Sequence, residues 1–171
     1  KIPLEIDMES LEYLDDTLSV FLEIPGEYNV RQAIQAYLQR SKKDIKEFIN
    51  RRRKVRLVKG AYAEGDLSKS ETRTQMKNLM EQFLTCGIES AIATIKDEKL
   101  INDIFELVSR RGASNNRFVI QTLYGVRDDL KHKWRDKGFR VEVYVPVGPW
   151  HKALPYIWRR IKEVLTHIKT P

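Results

Sequence analysis

Six times along the chain, a short run suited to a β-strand is followed by a polar or glycine-containing turn and then by a helical stretch. The strand-like runs are Ile2–Met8, Val30–Tyr37, Lys54–Lys59, Ile88–Thr94, Arg117–Leu123 and Phe139–Val145. Apolar spacing predicts helices near Leu11–Leu22, Lys42–Arg53, Ser70–Cys86, Lys99–Arg111, Arg127–Lys137 and Ala153–Ile168. Breakers fall at the joints, at Pro25-Gly26, Gly60, Gly65, Gly87, Gly112, Gly125, Gly138 and Pro146-Val147-Gly148. Strands alternating with helices through short connections predict a parallel sheet, because each helix carries the chain back to the same sheet end. Two α/β architectures remain: an open doubly wound sheet and a (β/α)8 TIM-type barrel.

Alternation within the strands separates them. Strands of an open doubly wound sheet are apolar on both faces, whereas a barrel strand turns one face to the helices and one to the interior. Leu4, Ile6 and Met8 share one face of the first run, and Glu5 and Asp7 the other. In the last run Val141, Val143 and Val145 oppose Arg140, Glu142 and Tyr144. Arg31 and Gln35 share a face of the second run, as do Arg56 and Val58 of the third. These polar sets would point into one enclosed space, which predicts a barrel with a polar, ligand-filled mouth. A complete barrel needs eight units and about 250 residues. The 171 residues are therefore expected to form the C-terminal part of a single barrel domain, about six units of it, over residues 1–171.

Charge and cysteine content narrow the partners. The 31 Lys plus Arg against 24 Asp plus Glu leave a net +7, which favours an anionic cofactor, substrate or surface. The run Arg51-Arg52-Arg53-Lys54 falls at a helix-to-strand joint without interleaved aromatics, and reads as a solvated helix end rather than a nucleic-acid surface. Cys86 is the only cysteine, which excludes a disulfide within the chain and a cysteine-based zinc site. It reads as a packed thiol, and a reducing cytoplasm is expected. His132, His151 and His167 lack metal-ligand spacing, so no metal is expected. No apolar run approaches the ~20 residues that span a bilayer. The basic amphipathic last helix suits a peripheral contact with an anionic membrane.

Barrel chemistry sits at the C-terminal ends of the strands. Those positions are Asp7-Met8, Gln35, Arg56 to Tyr62, Thr94, Gln121 to Tyr124, Tyr144 and the start of the last helix. There, Arg159 and Arg160 are suited to clamp a carboxylate bidentately, or equally to solvate a helix face.

Arg56-Leu57-Val58-Lys59-Gly60-Ala61-Tyr62 resembles the R-L-V-K-G-A-Y signature of the proline dehydrogenases, FAD-dependent enzymes of proline breakdown. Ile6-Asp7-Met8-Glu9 resembles the family's I-D-M-E segment, and Gln35-Ala36-Tyr37-Leu38 its L-Q-A-Y-L. Phe118 to Arg127 is similar to F-x-x-Q-x-L-Y-G-x-R. Tyr144 to Gly148, followed by Arg159-Arg160-Ile161-Lys162-Glu163, is similar to Y-x-P-x-G and R-R-L-x-E. The five motifs occur in order between residue 2 and about residue 164.

The resemblance implies that Asp7 and Arg56 are catalytic or flavin-orienting. It implies that Met8, Gln35, Arg56, Lys59, Gly60, Ala61, Thr94 and Ile95 line FAD. Arg159 and Arg160 would pair with the proline carboxylate, while Tyr144, Tyr62, Leu57 and Leu123 wall in its ring. A quinone is the implied electron acceptor. One position departs from the pattern, since Ala93-Thr94-Ile95 stands where the family has Ala-Thr-His. A substrate-contacting lysine of the N-terminal units also has no counterpart in this sequence. The contrasting expectation is a non-catalytic barrel fragment or ligand-binding relic.

Overall fold

Six strands form one wholly parallel sheet in chain order: β1 (Leu4–Ile6), β2 (Val30–Gln35), β3 (Lys54–Val58), β4 (Ser90–Ile92), β5 (Phe118–Leu123) and β6 (Arg140–Tyr144). The computed structural model describes residues 2–61, 64–94, 97–112, 117–124, 127–145 and 147–148. The connecting helices are α1 (Leu14–Glu23), α2 (Ser41–Asn50), α3 (Lys69–Thr85), α4 (Glu98–Arg110) and α5 (Asp128–Asp136). The expected helix at Ala153–Ile168, with Arg159 and Arg160, lies outside the described residues, as do Tyr62 and Ile95.

The strands are shorter than their sequence runs for identifiable reasons. Ile88 N donates to Phe83 O and Phe139 N to Trp134 O, so the first residues of two runs close the preceding helices. Helix α2 stops at Asn50 rather than Arg53, because Arg52 takes a positive φ of 52° and Arg53 N turns back to Phe48 O. Helix α3 begins with a capping box. Ser68 Oγ accepts from Glu71 N, and Glu71 Oε2 accepts from Ser68 N.

The outer face of the sheet is mostly apolar, with Gln32, Ser90 and Thr122 buried among its apolar residues. Leu57 and Ile92 are wholly buried with Met76, Leu79, Met80 and Phe83 of α3 and Leu100, Ile101, Ile104 and Val108 of α4. Phe139 stacks edge-on with Phe105, Phe118 and Trp134 at centroid distances of 4.9, 5.6 and 6.0 Å. The chain-order sheet has no point where strand order reverses, which removes the doubly wound alternative.

The sheet is curled into a half-barrel. Arg31 on β2 reaches Glu142 on β6 at 2.8 Å, although four ladder steps separate the two strands. In a flat sheet they would stand roughly 19 Å apart, at ~4.8 Å per step.

Two expectations fail. Arg53 is not a solvated helix end: its buried guanidinium donates to Ile24 O at 2.5 Å and Phe21 O at 2.9 Å, and lies over the Phe21 ring. It satisfies carbonyls that the end of α1 leaves open. Cys86 is exposed rather than packed, because α3 ends at Thr85 and leaves it at the cap. Among the described residues, no helix is long and apolar enough to cross a membrane.

Candidate active site

The inward-facing side chains form two layers. The lower one is centred on Arg31, whose side chain is 0% exposed. Arg31 Nη1 donates to Glu5 Oε1 at 2.7 Å and to Glu142 Oε2 at 2.8 Å, while Nη2 reaches Glu89 Oε1 at 2.5 Å. Gln121 Nε2 donates to the same Glu5 and Glu142 oxygens at 2.7 and 3.0 Å. Arg140 bridges Glu89 and Glu142, and Lys54 stands 3.5 Å from Glu89. The three cations match three carboxylates.

Burial alone would raise the Glu142 carboxyl. Hydrogen bonds from Arg31 and Gln121, with the charges of Arg31 and Arg140, outweigh it and hold the group below the usual carboxylate range. Burial likewise opposes the Glu89 charge, and Arg31, Lys54 and Arg140 overcome it. Burial works against the Arg31 charge too, yet bonds to Glu142, Glu89 and Glu5 raise its pKa above the ordinary value.

The upper layer lies two residues further along β1, β3, β5 and β6, and four further along β2. Arg56, from β3, has a side chain only 6% exposed, and its Nη1 is 3.1 Å from Asp7 Oδ1. The Asp7 side chain is 67% exposed and also accepts from Met8 N. Arg56 Cζ stands 4.4 Å from the centre of the Tyr144 ring, a cation–π contact between β3 and β6. Leu123 on β5 pairs in the ladder with Tyr144. Gln35, on the same face of β2, donates through Nε2 to Glu9 O at 3.2 Å. Arg56 Nε is buried without a hydrogen-bond partner among the described residues. Asp7, Arg56, Tyr144, Leu123 and Gln35 thus line the C-terminal part of the interior.

Beside them, the ends of β2, β3 and β4 make a shelf. Gly60 has φ of 120°, and a Cβ there would stand 2.5 Å from the Tyr37 ring, so the position excludes a side chain. Ala61 is exposed, and Thr94 is half-buried with its carbonyl accepting from Asp97 N. Lys59 Nζ meets Asp97 Oδ2 at 2.6 Å, where Arg73 joins it at 2.9 Å. Burial opposes the Asp97 charge, but bonds from Lys59, Leu100 N and Arg73 hold its carboxyl below the usual range.

Three sequence expectations need correction. Leu57 does not face the mouth: Arg56 points inward, so alternation turns Leu57 outward, wholly buried in the core between sheet and helices. Met8 is buried in the same apolar core. Gln121, expected at the mouth, belongs to the lower layer. The lower polar residues therefore bond chiefly to one another, with Arg31 Nε, Glu5 Oε2 and Gln121 Oε1 left buried without a partner among the described residues, and are no part of a ligand-filled mouth. Sequence reading missed Glu89 and Lys54 as members of that layer, and Asp97 as the collecting point for Lys59 and Arg73. The carboxylate at the start of α4, which accepts from Leu100 N as an N-cap does, was the available signal for Asp97.

A family model described as proline dehydrogenase matches residues 1–83 and 75–165. Proline dehydrogenase 2 of Bacillus subtilis (strain 168) is 34% identical over 169 residues, covering 95% of this chain and 54% of that protein. Proline dehydrogenase of Deinococcus radiodurans is 35% identical over 166 residues, covering 92% of this chain and 52% of that one. Among solved structures, proline utilization A (PutA) from Bdellovibrio bacteriovorus, inactivated by N-propargylglycine, superposes with a TM-score of 0.82. Its identity is 25%, over 92% of this chain and 19% of that chain. The chain spans about half the length of the curated relatives it matches. Agreement of sequence and fold over nearly all of its residues makes the chain a member of the proline dehydrogenase family.

Proposed function

We propose that residues 1–171 are the C-terminal part of a single (β/α)8 barrel that oxidises L-proline to 1-pyrroline-5-carboxylate, with FAD as hydride acceptor and a quinone as the onward acceptor. The observation that carries this reading is the buried Arg56 cation at the strand ends, held between an exposed carboxylate and an aromatic ring.

The reaction removes a hydride from the ring carbon next to nitrogen, and the nitrogen lone pair becomes the new C=N bond. The amine must therefore be neutral, and positioning dominates the rate. Tyr144 offers a ring face against which a five-membered ring can pack, with Leu123 beside it. The carboxylate falls to Arg159 and Arg160, which the sequence motif assigns to it.

FAD, when bound, supplies the two-electron acceptor. The residues present fit such a group. Gln35, the Lys59-Gly60-Ala61 backbone and Thr94 form the shelf that would hold it, and Arg56 would supply a fixed cation to stabilise negative charge on the reduced group. Asp7 holds one edge of that guanidinium. The net charge of +7 suits an anionic cofactor. Peripheral membrane contact by a cytoplasmic protein is the matching proposal for quinone access.

Protein of full family length should release flavin absorbing near ~450 nm on denaturation, without a covalent link. No flavin from full-length protein defeats the reading and leaves the ligand-binding relic. Activity on proline far above that on prolinol is expected, since only proline offers the carboxylate.

A further inference from the structure

The two interior layers share a spacing. On β1, Glu5 meets Arg31, and Asp7, two residues later, meets Arg56. On β6, Glu142 meets Arg31, and Tyr144, two residues later, lies against Arg56. Two steps along a strand return to the same face about 6.6 Å further on. Each of β1 and β6 thus carries a lower carboxylate for one arginine and an upper group for the other.

β1 and β6 are the outermost of the described strands and share no ladder bond with each other. Among the described residues, the ladder route from β1 to β6 passes through the four strands between them, and inter-strand rotation varies by several degrees at each step. A short route runs through side chains. Arg31 Nη1 and Gln121 Nε2 both bond to Glu5 Oε1 and to Glu142 Oε2, at 2.7 to 3.0 Å, closing a ring of four hydrogen bonds across the interior. With the Arg31 side chain 0% exposed, competition from water at this junction is small.

We propose that Arg31, together with Gln121, is a positioning residue: it pins β1 to β6 across the half-barrel interior and so sets Asp7 and Tyr144 against Arg56. This rests on reading the Asp7–Arg56–Tyr144 layer as the proline site. Arg31 touches neither substrate nor cofactor in this account, and acts through Glu5 and Glu142.

The test uses full-length protein and two variants. Arg31→Met removes the pin. Arg31→Lys keeps a buried charge, and remains available should Arg31→Met fail to fold, but lacks the fork that joins three carboxylates. Hydrogen exchange is measured first, strand by strand. Loss of the pin should speed exchange in residues 4–8 and 140–144 at least tenfold more than in residues 54–58 and 90–92, whose protection falls only with global stability. Proline kinetics are then compared in two backgrounds. Replacing Arg31 should raise KM roughly tenfold when Tyr144 is present, and less than twofold in a Tyr144→Ala background, because the group being positioned is gone.

A merely structural arginine predicts uniform loss of protection across the sheet and the same KM ratio in both backgrounds. Either result overturns the proposal. If the unsubstituted protein does not turn over proline, the functional reading fails and with it the claim of positioning for catalysis. The exchange pattern still decides whether Arg31 pins β1 to β6.

Discussion

The lower and upper layers of the half-barrel interior stand two residues apart on β1, β3, β5 and β6, yet treat charge in opposite ways. Below, the Arg31 guanidinium is fully enclosed and meets three carboxylates, each reaching it within 2.8 Å. Above, Arg56 is nearly as buried but has one carboxylate partner at 3.1 Å, itself mostly in solvent, and an aromatic ring. A buried charge surrounded by partners stabilises the fold only while all of them stay in place. Both arginines leave Nε without a partner among the described residues, so the difference lies in their surroundings: Arg56 adjoins a solvated carboxylate and a ring face that another molecule can reach. The comparison assigns holding to one layer and chemistry to the other.

The largest expected effect lies in the lower layer. Arg31→Met leaves three carboxylates facing an apolar side chain, and should cost about 3–5 kcal/mol in urea unfolding. Arg56→Met, whose carboxylate partner is solvated, should cost about 1 kcal/mol of stability or less. Its proline turnover should nevertheless fall on the order of 100-fold, as for a lost electrostatic partner of developing charge. The opposite pattern would mean that the two layers have been assigned the wrong way round.

The two faces of β3 sharpen the same contrast. Leu57→Ala opens a cavity among α3 and α4 side chains, so it should destabilise by about 2–5 kcal/mol and leave proline affinity intact. A raised KM with an unchanged melting temperature would return Leu57 to the site.

Acid should act on the lower layer, and also on Asp97 beside Lys59 and Arg73. The Glu89 and Glu142 carboxyls are depressed in the folded protein, so the unfolded chain binds protons more readily. Their stabilisation is full above the unfolded value near ~4.3, and fades as pH falls through the lower folded values. Melting temperature should drop between about pH 4.5 and 3. Glu142→Gln should flatten that slope, while Arg56→Met should leave it parallel to the parent.

Much of this was readable in the sequence, and the exceptions have physical causes. The repeated strand, breaker and helix units gave element order and parallel direction, and strand parity separated Glu5, Arg31 and Glu142 from their apolar neighbours. Parity fixes a face but not the depth or partner on that face. Gln121 therefore could not be told from a mouth residue, since its bonds go to β1 and β6, 116 and 21 positions away. Leu57 sits inside the strongest motif, yet adjacent residues of a strand cannot both point inward. Arg53 looked solvated within a basic run, because the carbonyls it serves belong to Phe21 and Ile24.

The central claim is that the upper layer is where proline is held. Steady-state kinetics and thermal melting of Tyr144→Phe and Tyr144→Ala in full-length protein test it most directly. Tyr144→Phe keeps the ring over Arg56 and should bind proline almost normally. Tyr144→Ala should raise KM roughly tenfold and lower kcat as the ring of the substrate loses its alignment, with little change in melting temperature. Unchanged kinetics with a depressed melting temperature would contradict the account, and would make Tyr144 a packing residue.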